Sequence, residues 1–139
     1  MNHAFVLEAQ DVAIHYGGVK AVDGVSLTLQ RGQIHGLIGP NGAGKSTVID
    51  AITGRVRLTR GKVQLAGEDV THLGPTERRQ RGLSRSFQRT SVFSQMLVRQ
   101  QVELASYKMG VADSGADADA ILQELELLHL THATAEDLG

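Results

Sequence analysis

Over Leu7–Tyr16 the apolar positions Leu7, Ala9, Val12 and Ile14 alternate loosely with polar ones, which is the pattern of a strand. Val25, Leu27 and Leu29 repeat at a strict period of two, so Val25–Leu29 reads as a half-buried strand. Together they predict a small antiparallel β layer. Ile34-His35-Gly36-Leu37-Ile38-Gly39 is a short apolar run closed by glycine, the form of a buried strand. The period then changes. From Lys45 to Ile52, Val48, Ile49 and Ile52 recur at helical spacing, and Gly54 stops the helix. Lys62–Leu65 predicts a further strand between Gly61 and Gly67, and Pro75 opens a short helix, Thr76–Arg81, closed by Gly82.

Past Gln88 the pattern becomes helical. Val98–Tyr107 predicts a helix, and the small-residue stretch Val111–Ala118 reads as a loop. Over Ala120–Leu130, Ile121, Leu122, Leu125 and Leu128 share one helical stripe with Glu124 and Glu126 off it, which predicts core packing. There is no internal repeat. The expected organisation is a β layer followed by strand–loop–helix over residues 1–97 and a helical part over 98–139.

Composition narrows the class. The chain has 139 residues, 41% of them hydrophobic, enough for a real core, so wholesale disorder is excluded. With no cysteine there is neither a disulfide scaffold nor a thiolate metal site. No run approaches a membrane span, and Met1–Asp11 lacks the basic and apolar regions of a signal peptide, so a cytoplasmic location is expected. A formal charge of −1 argues against a nucleic-acid partner. The charge is nevertheless divided. Residues 78–99 hold six arginines and no acid, while 103–139 hold eight acids and one base, a division that predicts two differently solvated faces or a contact surface. His129 and His132 stand at i, i+3 without a third ligand, so they read as solvent-facing.

The chemistry lies in Gly39-Pro40-Asn41-Gly42-Ala43-Gly44-Lys45-Ser46, which matches the phosphate-loop spacing G-x-x-x-x-G-K-[ST]. Glycines let successive main-chain N–H groups turn toward one phosphate, where side chains would block the approach. The helix that follows aims the positive end of its dipole at the same anion. Lys45 adds a full charge for the β/γ-phosphates, and the Ser46 hydroxyl is placed to ligate Mg²⁺. A chance match in a chain of this length is about a one-in-a-hundred event at average residue frequencies. A nucleoside triphosphate with Mg²⁺ is therefore the expected ligand, and the resemblance of the flanking residues makes it ATP.

The flanking residues specify the class. Tyr16-Gly17-Gly18, Ala21-Val22-Asp23-Gly24-Val25-Ser26-Leu27, the loop through Thr47, and Arg85-Ser86-Phe87-Gln88 together resemble the nucleotide-binding domain of ABC transporters. Within that family the chain is similar to the branched-chain amino acid subfamily, which includes amide and urea importers. The resemblance covers about residues 6–108. It implies an α/β fold, a P-loop core of ABC type with an N-terminal antiparallel β layer and the beginning of a helical subdomain. Tyr16 matches the aromatic that stacks on adenine, and Gln88 matches the glutamine that touches Mg²⁺ or the attacking water and couples to the membrane partner. The arginines around Gln88 fall where relatives contact transmembrane permease subunits. Two such domains close head to tail on two ATP molecules, so a second ATP-binding subunit is expected, on the inner face of the cell membrane.

The 139 residues contain no signature motif, no apolar strand ending in Asp-Glu and no later switch histidine; by resemblance the signature would begin near Leu138-Gly139. This predicts nucleotide binding with little hydrolysis by this stretch alone, and an apolar edge along the phosphate-loop strand, which lacks a parallel neighbour. Gln100-Gln101 stands where relatives often carry Glu-Asn. The other readings are a truncated nucleotide-binding module without catalysis, a soluble ABC-type ATPase acting on nucleic acid or ribosomes, and a small-molecule P-loop kinase, which the β layer and Tyr16 ahead of the loop disfavour.

Overall fold

The computed structural model describes residues 5–87 and 91–138. The chain forms two compact units, Met1–Arg85 and Ser86–Gly139. In the first, β1 (Leu7–Tyr16), β2 (Val19–Leu29), β3 (Arg60–Leu65) and the short β4 (Glu68–Asp69) make one sheet of order β2-β1-β3-β4 with every pair antiparallel. The expected β layer is present, and its second strand begins six residues earlier than the alternation alone indicates, because the Val19–Gly24 stretch keeps pairing with β1.

The central strand β1 is covered along its middle: Val12, Ala13 and Ile14 are all buried. Strict alternation breaks there because Asp11 adopts a left-handed conformation (φ 46°) and shifts the register on both sides. Its carboxylate takes two bonds from Arg60, at 2.7 and 3.0 Å.

Helix α1 (Lys45–Ile52) has the bounds its spacing predicts. It buries Val48, Ala51 and Ile52, an i, i+3, i+4 face, in a cluster with Val12, Ile14, Val22 and Val63. Each valine or isoleucine in the cluster contributes about 1.5–3 kcal/mol on burial. Ile49 stays on the outer face, 37% exposed. Helix α2 (Pro75–Gln80) starts with proline at its first position, and the Glu77 carboxylate accepts the Gly74 N–H at 2.8 Å.

Ile34–Gly39 is not a strand. Ile34 is 98% and Ile38 95% exposed. A strand needs neighbours for its main-chain N–H and C=O groups, and among the described residues no strand pairs with this segment. The apolar run has the right composition and nothing to pair with.

The second unit contains α3 (Val98–Lys108) and α4 (Ser114–Glu124), followed by single 3₁₀ turns at Leu128–Leu130 and Glu136–Leu138. The expected loop over 111–118 is mostly helix: the Asp113 carboxylate accepts the Ala116 N–H at 2.9 Å and caps α4, and Ala118 is fully buried. Arg99 grips α4 through both oxygens of Asp119, at 2.7 and 3.1 Å, and through the Gly115 carbonyl. The helix expected over 120–130 ends at Glu124, where Glu126 turns left-handed (φ 59°). The stripe is cut accordingly: Leu122 is fully buried, while Leu125 and Leu128 are about half exposed.

The arginines described in residues 78–99 differ in their surroundings, and Arg89 lies outside the described residues. Arg78 is buried, Arg81 pairs with Glu68, and Arg99 with Glu103 and Asp119.

Candidate nucleotide-binding site

Gly39–Thr47 leads directly into α1. Gly42 and Gly44 both take left-handed φ values, 81° and 84°, which only glycine adopts without strain. Ala43 donates its N–H to the Pro40 carbonyl at 3.3 Å, and the first helical bond runs from Val48 N–H to the Gly44 carbonyl at 2.9 Å. The N–H groups of Lys45, Ser46 and Thr47 precede that bond, so helix geometry directs them out of the N-terminus. They form the positive end of α1.

Lys45 folds back across the loop. Its ammonium donates to the carbonyls of Gly39 at 2.6 Å and Pro40 at 2.7 Å, which fixes the charge at the loop's mouth. An ammonium has three donors, and these two bonds leave the third for an anion. Ser46 is exposed and Thr47 half-buried. A hydroxyl oxygen beside phosphate oxygens suits Mg²⁺, a hard cation that takes oxygen donors and keeps several waters. The donor set thus fits a magnesium–nucleotide pair.

The loop rests on β2. A Cβ at Gly44 would lie 2.6 Å from the Ala21 carbonyl oxygen and 3.3 Å from Val22 Cγ2. This is the part played by the Ala21-Val22 stretch, a contact that sequence spacing does not reveal. Tyr16 ends β1, pairs with Val19 and is 55% exposed. Val19 precedes Ala21 by two residues, about 7 Å along the strand. An open aromatic ring therefore stands on the hairpin whose second strand backs the phosphate loop, a geometry suited to stacking a base. On the hairpin itself, Lys20 and His15 hold the Asp23 carboxyl below the usual carboxylate range, Lys20 through a 2.9 Å bond.

The far end of α1 is also held. Arg85 donates to the Asp50 carboxylate and, at 3.4 Å, to Thr53 Oγ1. Arg85 of the Arg-x-Phe-Gln stretch is thereby tied to the helix that carries the loop. Gln88 lies outside the described residues. His129 and His132 are exposed, and among the described residues no group of three His, Asp or Glu is arranged to hold a metal.

The family profile described as ABC transporter matches residues 22–138. This chain belongs to the ABC transporter family. It is 30% identical over 139 residues to a probable branched-chain amino acid transport ATP-binding protein of Methanocaldococcus jannaschii, covering 91% of this chain and 54% of that protein. It is 34% identical over 134 residues to the lipopolysaccharide export system ATP-binding protein of Haemophilus influenzae, covering 90% and 53%. Among solved structures it resembles the ADP conformation of an ATP-binding cassette of an ABC transporter, with a TM-score of 0.85 at 30% identity, covering 97% of this chain and 59% of that one. The chain spans about half the length of these relatives. Its fold is that of the ATP-binding cassette, and the relatives serve unlike solutes, one an amino acid and the other a lipopolysaccharide.

Proposed function

We propose that this chain supplies the nucleotide-holding part of the ATP-binding subunit of an importer for branched-chain amino acids or a related small solute, with α3 and α4 as the start of its helical subdomain. One observation carries the nucleotide reading: Lys45 lies across Gly39 and Pro40 at the N-terminus of α1, where Ser46 follows it in the first turn and is exposed. In this reading Tyr16 stacks on adenine. The N–H groups of Gly42 and Gly44–Thr47 and the Lys45 ammonium take the phosphates, with Gly39, Pro40, Asn41 and Ala43 shaping the loop. Ser46 and Gln88 contribute oxygens to Mg²⁺, which neutralises phosphate charge when bound. Gln88 also orients the attacking water.

Hydrolysis and solute movement belong to the whole assembly: two ATP-binding subunits head to tail, seated on transmembrane permease subunits at the cytoplasmic face. Among the described residues no helix is long and apolar enough to cross a membrane, which accords with a peripheral subunit. The amino acid assignment rests on the Tyr16, Ala21–Leu27 and Arg85–Gln88 stretches together with the archaeal relative.

Calorimetric titration of the chain with Mg-ATP tests the site. Lys45→Ala removes the ammonium and leaves the helix, so binding should fall at least about 100-fold. Equal affinity in the variant would sink the assignment. Reconstitution with permease subunits, scored by which solute stimulates turnover, tests the transport reading.

A further inference from the structure

Arg78 has a long cationic side chain and is only 2% exposed. Its donors fan across four main-chain carbonyls. Nη1 reaches Ala51 at 2.9 Å and Ile52 at 2.6 Å, Nη2 reaches Thr71 at 2.8 Å, and Nε reaches Leu73 at 2.9 Å. Ala51 and Ile52 are the last two residues of α1, whose final carbonyls have no helical donor and form the negative end of its dipole. Gly54 closes the cage from outside: a Cβ there would lie 2.9 Å from Arg78 Nε and 2.8 Å from the Leu73 carbonyl oxygen.

A plain helix stop does not need this arrangement. The Gly54 N–H already returns to the Ala51 carbonyl at 3.2 Å, and the Thr53 hydroxyl donates to Ile49 at 2.8 Å. Burying a guanidinium among carbonyls is costly in lost hydration, of which hydrogen bonds recover only part. What Arg78 adds is rigidity. It ties the rear of α1 to the Thr71–Leu73 turn and to α2, which opposes tilting or sliding of the helix. The helix is eight residues long, about 12 Å, and its front end is the phosphate loop.

We propose that Arg78 is a positioning residue for the nucleotide: it fixes α1 from behind and so sets the direction of the Lys45, Ser46 and Thr47 N–H groups. The inference rests on the reading of Gly39–Thr47 as the nucleotide site. A tilt at the rear of so short a helix moves its first turn, where a few tenths of an ångström decide several charge-assisted bonds at once. Base stacking on Tyr16, carried by the hairpin, is independent of that tilt.

The test compares Mg-ATP with adenosine, titrated by NMR into the full 139-residue chain and its Arg78→Met and Arg78→Lys forms. Methionine keeps the stem and removes the donors. Arg78→Met should weaken Mg-ATP about tenfold while adenosine stays within about twofold, and Arg78→Lys should recover part of the loss. Unchanged ATP affinity, or equal weakening of ATP and adenosine, overturns the proposal and leaves Arg78 a structural cap. Where Arg78→Met does not fold, the same ATP-to-adenosine split in Arg78→Lys decides, with a loss of about threefold for ATP alone expected. Failure of the unsubstituted chain to bind ATP would overturn the site and the inference together, whereas failure of the split alone removes only the role of Arg78.

Discussion

The Ala21 carbonyl oxygen occupies the space that any side chain at Gly44 would need, 2.6 Å from where its Cβ would stand. β2 and the phosphate loop are packed main chain against main chain, and Gly44 also takes φ 84°. Gly44→Ala therefore meets both a clash with backbone and a strained conformation. Strain of this kind costs about 1–3 kcal/mol, and the loop must move off β2 to relieve the clash. The variant should lose measurable Mg-ATP binding while circular dichroism keeps the sheet signal. Tight binding by a folded Gly44→Ala protein would mean that the loop does not rest on Ala21.

Asp50 is the second fixed point of α1. Its carboxylate receives Arg85, and Arg55 approaches at 3.6 Å, with the Asp50 and Arg85 side chains only 28% and 22% exposed. The pair is intermediate between a surface bridge and a buried one, so Asp50→Asn should cost about 1–2 kcal/mol. Urea unfolding checks the value. Nucleotide affinity should change little, since the Arg78 cage still holds the helix. A stability change within about 0.3 kcal/mol would show the pair to be as weak as an exposed bridge.

What the sequence disclosed follows from where the information lies. The bounds of α1 were readable because local rules suffice: glycines before Lys45, apolar residues at 48 and 52, glycine at 54. The loop was readable because phosphate chemistry demands particular residues at particular spacings. Arg78 was not. In the sequence it is one of six arginines in an acid-free stretch, and only the fold places its guanidinium among the carbonyls of Ala51, Ile52, Thr71 and Leu73. Ile34–Gly39 misled in the opposite sense, since strand composition is local but strand formation requires a partner. Val111–Ala118 misled because a glycine and two aspartates hide a capped helix whose buried side there is alanine.

The Arg99–Asp119 pair gives a pH dependence whose sign is fixed. Bonds from Arg99 hold the Asp119 carboxyl below the usual aspartate range. A carboxylate with a lowered folded pKa stabilises the fold fully above its unfolded value, about 3.9, and loses that contribution as pH falls through the lower folded value. Asp11, held down by Arg60, and Asp137, held down by Thr134, act in the same direction. The chain should therefore lose stability on acidification from about pH 5 to about pH 2. NMR titration should place Asp119 below the ordinary aspartate midpoint, and Arg99→Gln should return it there. An Asp119 midpoint that Arg99→Gln leaves in place would assign the shift to some other cause.

Ile34 and Ile38, 98% and 95% exposed, are spaced so that period-two alternation would place both on one side of an extended segment. Unpaired apolar chain of this kind is a template for self-association. Ile38→Thr keeps the β-branch, removes apolar surface and disturbs no packing, so stability should change by less than about 0.5 kcal/mol. Aggregation of the 139-residue chain, followed by light scattering against concentration, should fall in Ile38→Thr and further in Ile34→Thr/Ile38→Thr. The converse is equally informative. A variant that loses more than about 2 kcal/mol would mean that Ile38 is packed in solution, as the apolar run by itself implies. The phosphate-loop strand would then form without the neighbour that its exposure here says it lacks.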